Sequence, residues 1–182
     1  AGNGLMMRGI PSLKPMALME NRNWLGLRES YFLIEAPETD QELDRYILKG
    51  FRDFNEKSLF IKAFAQWLAY FHKMGLYHRD MKTCNLLVSK SGENWNFHLL
   101  DLEDVLLDEK VDEMRLFKNF LQLNTSTPKI INRIGRFRFF REYLSQNPII
   151  KNEKVFLRRL IEASVRRGLV YVSPKGVVIE KL

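Results

Sequence analysis

The spacing of apolar residues predicts short strands at the start of the chain. Two apolar runs, at residues 16–19 and 31–34, indicate the strands of a hairpin that turns at residues 21–23. Pro37 has no backbone N–H to donate to a strand ladder, so the second strand is expected to end before it. The first part of the chain is therefore predicted to be a strand pair followed by a connecting segment.

The strongest helical pattern lies at residues 56–74. Apolar side chains recur there every three or four positions and mark one face of a helix, at Leu59, Phe60, Ala63, Phe64, Trp67, Leu68 and Phe71. Gly75 is expected to end this helix. A shorter helix, capped by Thr39 or Asp40 and ending near Leu48, is expected before it.

Two strands, three helices and a terminal hairpin are predicted in the remainder of the chain. The strands are expected at residues 86–89 and 96–100, on either side of a turn at residues 91–94. The helices are expected at residues 108–123, 128–145 and 152–167. The hairpin is expected from residues 169–172 and 177–179.

A catalytic-loop motif lies between the long helix and the strand at residues 86–89. It reads His78-Arg79-Asp80-Met81-Lys82-Thr83-Cys84-Asn85, the H-R-D-x-K-x-x-N pattern of protein-kinase-like phosphotransferases. Asp101 follows Asn85 by 16 positions and closes a second apolar run. Most kinases place the metal-binding acid of D-F-G there, and this chain has Asp101-Leu102-Glu103.

Phosphoryl transfer explains why these residue types occur together, because the transferred group requires positioning and charge neutralisation more than covalent chemistry. Asp80 is the candidate to accept the proton of the attacking hydroxyl, and Lys82 is the candidate cation for the γ-phosphate. Asn85 and Asp101 supply the hard oxygen ligands that magnesium prefers. Taken one by one, the same residues could instead be turn residues, a solvated charge and a helix cap.

Other residues around the motif are predicted to be structural. His78 is expected to pack and hydrogen-bond behind the loop, and Arg79 is expected to form a fixed ion pair with Glu103 or Asp104. His72, on the apolar helix, is expected to be a core or boundary residue rather than a ligand. These three side chains are therefore not predicted to react.

Composition favours an anionic partner. The 182 residues include 29 Lys and Arg against 22 Asp and Glu, which gives a net charge of +7. Much of the excess is arginine in the later helices, at positions 133, 136, 138, 141, 158, 159, 166 and 167. Solvated helix faces are one explanation, and a phosphate-rich substrate or an anionic membrane surface is the other. No nucleic-acid-reading motif is present, and no run of about 18 apolar residues indicates a membrane span.

The segment after Asp101 distinguishes classes of kinase. Protein kinases keep a long segment there that ends in A-P-E and helps to dock peptides. In this chain a helix is predicted only a few residues later, and the one such triplet, Ala36-Pro37-Glu38, lies far upstream. A small-molecule, sugar or glycolipid acceptor is therefore expected rather than a peptide.

The chain resembles the bacterial lipopolysaccharide kinase family, which phosphorylates Kdo or heptose of the inner core. The resemblance rests on Arg8-Gly9-Ile10-Pro11, residues 71–80, Leu99-Leu100-Asp101-Leu102 and the arginine-rich segment at residues 136–144, R-x-R-F-x-R-x-Y-L. It implies ATP and magnesium as cosubstrates and a lipopolysaccharide-core glycolipid as acceptor. It also implies peripheral contact with the anionic inner membrane at its cytoplasmic face.

The resemblance implies an α+β, protein-kinase-like fold that is mainly the helical C-terminal lobe. Residues 1–34 would be a remnant of the N-terminal lobe, residues 35–39 the hinge, and residues 40–182 the C-terminal lobe with the catalytic loop. Glu35, Ala36 and Pro37 are the hinge residues expected to meet the adenine. No glycine-rich phosphate loop and no V-A-I-K-type lysine precede Pro11, so most of the N-terminal lobe is expected to be missing from these residues.

Two alternatives to an active lipopolysaccharide-core kinase stay open at this point. One is a non-catalytic, kinase-like binding module, although such a module need not retain Asp80, Lys82, Asn85 and Asp101 together. The other is a different small-molecule kinase, such as an aminoglycoside phosphotransferase. That class shares the loop but has no obvious counterpart of the arginine-rich segment.

Overall fold

A computed structural model describes residues 2–10, 15–35 and 41–182, and within them the chain combines α-helices with small antiparallel sheets. The helices are α1 (Gly2–Met7), α2 (Leu43–Lys49), α3 (Phe54–Lys73), α4 (Glu113–Ser126), α5 (Arg133–Gln146) and α6 (Glu153–Arg167). The strands are β1 (Pro15–Asn23), β2 (Gly26–Ile34), β3 (Gln41–Glu42), β4 (Tyr77–His78), β5 (Leu86–Ser91), β6 (Asn94–Leu99), β7 (Val105–Leu106), β8 (Leu169–Ser173) and β9 (Gly176–Glu180). Single 3-10 turns lie at Thr83–Asn85 and Leu102–Asp104.

Strands β1 and β2 form the predicted hairpin, with Met19 opposite Tyr31. The turn predicted at residues 21–23 is wrong, because those residues are paired in the ladder and the chain reverses at residues 24–25. Two local features favour the later turn. The Asn23 side chain accepts the N–H of Leu25 at 3.0 Å, and Gly26 has a φ of 120° that side chains disfavour.

Helix α3 is the centre of the core and packs against α5 and β6. Its apolar face contacts aromatic rings of both neighbours: the ring centre of Phe64 lies 5.1 Å from that of Phe97 in β6 and 5.3 Å from that of Phe139 in α5. The helix begins two residues before the predicted start, because Asp53 caps it by accepting the N–H of Glu56 at 2.8 Å. Its end before Gly75 is confirmed.

Helices α2, α4 and α5 begin later than predicted. Residues 41–42 pair with β5 as strand β3 before α2 starts, and the proposed caps Thr39 and Asp40 lie outside the described residues. Asp112 caps α4 by accepting the N–H of Arg115 at 2.8 Å, and Asn132 caps α5 by accepting that of Gly135 at 3.0 Å. The side-chain caps, rather than the first helix-compatible residue, set the starts of α4 and α5.

Helix α6 and the terminal hairpin of β8 and β9 lie where they were predicted. The hairpin is tied to α2 by Asp44, whose buried carboxylate accepts the N–H of Val172 at 2.9 Å. Burial raises the pKa of Asp44 from its ordinary value. None of the described helices is long and apolar enough to cross a membrane.

Candidate active site

Two short sheets bring the catalytic loop next to Asp101. Strand β4 pairs with β7, and β5 pairs with β6 in a sheet of order β3-β5-β6. The loop joins β4 to β5, while Asp101 joins β6 to the 3-10 turn before β7. The N–H of Leu100 donates to the carbonyl of Asn85 at 2.9 Å, which joins the two segments directly.

His78 packs behind the loop, as predicted. It is fully buried, its Nε2 donates to the carbonyl of Leu100 at 3.2 Å, and its Nδ1 accepts the N–H of Asp80 at 3.1 Å. Burial lowers its pKa, so the neutral ring is favoured. His78 therefore fixes the backbone at Asp80 and has no free nitrogen for chemistry.

Both oxygens of the Asp80 carboxylate are hydrogen-bonded. Oδ2 accepts from Lys82 Nζ at 2.8 Å and from Asn85 Nδ2 at 3.2 Å, and Oδ1 accepts from Gln122 Nε2 at 3.3 Å. The side chains of Asp80 and Lys82 remain 33% and 37% exposed. The structure thus brings three of the predicted site residues together and leaves them accessible to a substrate.

Asn85 is oriented by its amide nitrogen. Nδ2 donates to the Asp80 carbonyl at 2.8 Å as well as to its carboxylate, so the amide oxygen faces the other way. Among the described residues, that oxygen has only a long contact, 3.7 Å, with the Cys84 thiol. The Asn85 oxygen is therefore available to a further ligand.

Asp101 differs from the loop residues in backbone and in environment. It has left-handed φ and ψ of 52° and 57°, it is exposed, and its carboxylate has no hydrogen bond or ion pair with any described residue. No group of three or more His, Cys, Asp and Glu within residues 2–10, 15–35 and 41–182 could hold a metal by itself. One free carboxylate and one available amide oxygen fit magnesium that completes its shell with water and phosphate oxygens, as that ion usually does.

Arg79 is held by the segment that follows Asp101. Its guanidinium forms an ion pair with Asp104 at 2.7 Å and donates to the carbonyl of Glu103 at 3.2 Å. The predicted ion pair is confirmed for Asp104. This contact is a second link between the catalytic loop and the Asp101 segment.

The hinge prediction involves residues at the edge of the described chain. Glu35 follows β2 and is exposed. Ala36 and Pro37 lie outside the described residues. Contact of these residues with an adenine stays a prediction.

Sequence reasoning missed two residues of α4 that contact the loop. Gln122 donates to the Asp80 carboxylate, and Asn119, which is fully buried, donates to the His78 carbonyl at 2.8 Å. The available signal was the occurrence of amide side chains on a helix face that otherwise buries Leu116, Phe120 and Leu123. A polar residue on such a face requires a partner.

The arginine-rich segment is partly structural. Arg136 donates to the carbonyls of Thr127 at 2.6 Å and Ile131 at 2.9 Å, and burial lowers its pKa to about 10. Arg138 lies 4.7 Å from the ring centre of Phe54. These two arginines hold the start of α5 and its contact with α3, so they are not plain solvated charges.

Comparison with known proteins identifies the family. Residues 3–134, well over half of the chain, match the sequence model of the lipopolysaccharide kinase (Kdo/WaaP) family. The chain belongs to that family. The lipopolysaccharide kinases are phosphotransferases of lipopolysaccharide biosynthesis, so this family member is a kinase.

A solved structure confirms the fold. The chain is similar to WaaP in a complex with acyl carrier protein, with a TM-score of 0.67 and 20% identity over 90% of this chain and 72% of that one. The α+β, protein-kinase-like fold is therefore confirmed. The kinase domain of PknI from Mycobacterium tuberculosis is less similar, with a TM-score of 0.40 and 12% identity over 84% of this chain and 71% of that one. No curated protein matches the chain significantly.

Proposed function

We propose that this lipopolysaccharide kinase transfers the γ-phosphate of ATP to a sugar hydroxyl, of Kdo or heptose, in the lipopolysaccharide inner core. The observation that carries the proposal is the cluster of Asp80, Lys82 and Asn85. Lys82 Nζ lies 2.8 Å and Asn85 Nδ2 lies 3.2 Å from Asp80 Oδ2, beside the segment that carries Asp101. This arrangement provides an acceptor for a proton, a cation and two oxygen ligands at one accessible place.

Asp80 is the proposed acceptor of the hydroxyl proton. Its carboxylate is fixed by three side-chain donors yet remains one-third exposed, so an acceptor hydroxyl can reach an oriented base. Lys82 lies beside it and is the proposed cation that stabilises charge on the transferred phosphoryl group.

Asn85 and Asp101 are the proposed magnesium ligands. The Asn85 oxygen is turned away from Asp80, and the Asp101 carboxylate is exposed and unpaired among the described residues. When bound, magnesium would supply positive charge against the phosphates of ATP. The two protein segments would hold their ligands close together because Leu100 and Asn85 are joined by a backbone hydrogen bond.

The lobe division is also proposed. Residues 1–34 would belong to the N-terminal lobe, residues 35–39 to the hinge, and residues 40–182 to the C-terminal lobe. Within the hinge, Glu35, Ala36 and Pro37 would contact the adenine of ATP. Support comes from the order of the elements, with hairpin β1–β2 before residue 35 and the helical core after residue 41.

An acyl group is a proposed ligand of the C-terminal lobe. A cavity of about 730 Å³ lies among α3, α4, α5 and α6, and its lining is mainly Phe, Leu and Ile, together with Lys129, Arg133 and Arg136. WaaP was solved in complex with acyl carrier protein. An apolar cavity with basic residues suits an alkyl chain on an anionic carrier, so we propose that this protein binds acyl carrier protein as well.

The acyl proposal is tested by binding of acyl carrier protein with and without its acyl group. Leu160 lines the cavity, and Leu160→Trp should fill part of it. We expect the acylated carrier to bind more tightly than the free form, and the variant to lose that difference. Equal binding of both forms to the natural protein would exclude the cavity as an acyl site.

The anionic acceptor would be met at the cytoplasmic face of the inner membrane. Support comes from the net charge of +7 and from exposed basic residues such as Lys129, between α4 and α5, and Arg133, at the start of α5. Lipopolysaccharide precursors carry anionic groups, and a basic surface attracts both them and anionic lipids.

The phosphotransfer proposal is tested with γ-labelled ATP, magnesium and lipopolysaccharide from a strain that lacks core phosphate. We expect label in the lipopolysaccharide, and mass spectrometry of the released core should place one phosphate on Kdo or heptose. Asp80→Asn is the control. Label on an aminoglycoside but not on lipopolysaccharide would support the second alternative, and nucleotide binding with no transfer to either would support the binding module.

A further inference from the structure

A chain of side-chain hydrogen bonds runs through the core from α5 to the catalytic loop. The Tyr143 hydroxyl lies 2.8 Å from His72 Nδ1, and His72 Nε2 lies 3.1 Å from Asn119 Oδ1. Asn119 Nδ2 lies 3.1 Å from Gln122 Oε1, and Gln122 Nε2 lies 3.3 Å from Asp80 Oδ1. Three helices, α5, α3 and α4, are thereby linked to one carboxylate.

The backbone carbonyl of His78 fixes which groups donate and which accept in the hydrogen bonds from Asn119 to Tyr143. The His78 carbonyl can only accept, so Asn119 presents its nitrogen to it and its oxygen to His72. His72 therefore donates from Nε2, and its Nδ1 accepts from the Tyr143 hydroxyl. Burial lowers the pKa of His72 to about 4, which agrees with a neutral ring that has one donor and one acceptor.

Backbone groups likewise fix the orientation of the Gln122 side-chain amide. Its nitrogen faces the Arg79 carbonyl at 2.7 Å, and its oxygen accepts the N–H of Met81 at 3.1 Å. The backbone on both sides of Asp80 therefore decides how the Gln122 amide is turned. In that orientation the nitrogen has one further partner, the Asp80 carboxylate.

Burial makes the inner hydrogen bonds of this series hard to rearrange. Asn119 and Tyr143 are completely buried and His72 is 4% exposed, so each must keep its partners or lose hydrogen bonds without replacement by water. Thr83 adds a second anchor, since its N–H and hydroxyl bond to Ser126 at the end of α4, at 3.0 and 2.7 Å. Helix α4 thus holds the catalytic loop at both ends.

We infer that Gln122 is the positioning residue of Asp80, held in register by Asn119 and His72. It fixes Oδ1 and the peptide groups on either side, while Oδ2 is held by Lys82 and Asn85. The inference rests on the proposed catalytic role of Asp80. A base displaced by about 1 Å loses on the order of 100-fold in rate, so the orientation has a measurable consequence.

The test uses Gln122→Leu and Gln122→Glu in the whole protein, assayed with ATP, magnesium and core-dephosphorylated lipopolysaccharide. The leucine removes every side-chain hydrogen bond, and the glutamate removes the donor at nearly unchanged shape. We expect kcat to fall about 10- to 100-fold in both, with the KM for ATP within about twofold of the natural value. Gln146→Glu makes the same chemical change at an exposed position of α5 and should leave kcat unchanged.

A double variant separates positioning from general destabilisation. Residues that act through one group are not additive, so Gln122→Leu should lower the residual activity of Asp80→Asn by less than about twofold. An equal fractional loss in both backgrounds would show that Gln122 only stabilises the fold, and natural kcat in both Gln122 variants would overturn the inference outright. If Asp80→Asn itself retains natural activity, the proposed function fails instead.

Discussion

Asp80 and Asp101 are acidic residues of neighbouring segments, and their carboxylates differ in hydrogen bonding. Asp80 has every carboxylate oxygen engaged by a side chain from its own loop or from α4. Asp101 is exposed, its carboxylate has no hydrogen bond or ion pair with a described residue, and its backbone is left-handed. The difference supports the roles proposed for them: Asp80, as proton acceptor, would be oriented by protein groups alone, whereas Asp101, as metal ligand, would be left free for the metal.

The backbone of Asp101 supports the same distinction. Left-handed φ and ψ cost a residue with a β-carbon roughly 1–2 kcal/mol, and short polar side chains such as Asp tolerate them best. A position without a functional demand would commonly carry Gly there. Asp101 therefore keeps its carboxylate at some cost in stability, while Asp80 lies within a network that stabilises the loop.

The largest effect should come from Asp80→Asn. The amide keeps the shape and leaves Lys82 and Asn85 in place but cannot take a proton from the acceptor, so kcat should fall about 100- to 10,000-fold. Steady-state phosphorylation of lipopolysaccharide measures the fall, and fluorescence titration should show a nearly natural affinity for Mg-ATP. Near-natural turnover would remove Asp80 from the proposed role.

The network behind Asp80 should make stability depend on pH. The folded pKa of His72 is about 4 against about 6.5 unfolded, so below pH 6.5 the unfolded chain binds a proton that the folded one refuses. The contribution of neutral His72 to the free energy of unfolding is fully present above pH 6.5. It is lost as the pH falls through 4, and the loss is on the order of 3 kcal/mol.

Urea unfolding at pH 7 and pH 4.5 measures this loss. His72→Gln is the matched variant, because glutamine does not titrate and keeps a donor and an acceptor. We expect it to be less stable at pH 7 but to lose less on acidification than the natural protein. Identical losses in the two proteins would show that His72 is not the group responsible.

The smallest effect should come from Asp101→Gly beside Asp101→Ala. Glycine adopts left-handed backbone without a β-carbon clash, although it also gains entropy in the unfolded chain, so we expect a net gain of up to about 1 kcal/mol. Alanine keeps the β-carbon and should give no gain. Thermal unfolding of both variants measures the difference, and equal stabilities would mean that the backbone at Asp101 is not strained.

The sequence was sufficient for the features that depend on local pattern. The loop motif, the apolar face of α3 and the strand pair β5–β6 depend on neighbouring residues, so periodicity and spacing predict them. The late starts of α4 and α5 depend on the caps Asp112 and Asn132, which periodicity does not weigh. The start of a helix is a local competition that apolar spacing alone cannot decide.

The site residues that could not be predicted from the sequence depend on tertiary contacts. Gln122 lies 42 positions after Asp80, and its role exists only because α4 packs beneath the loop. The hydrogen bonds of His72 likewise reach across three helices. By contrast, the separation of Asp80, Lys82 and Asn85 is fixed within one loop, which is why their grouping could be predicted.

The central claim, that Asp101 is kept free for magnesium while Asp80 is fixed by the protein, is tested most directly by calorimetric titration of the whole protein with ATP. Titrations with magnesium and with EDTA should be run on the natural protein, Asp101→Ala and Asp80→Asn. The account predicts tighter binding with magnesium for the natural protein and for Asp80→Asn, and loss of that difference for Asp101→Ala. Unchanged affinity and unchanged magnesium dependence in Asp101→Ala would contradict it.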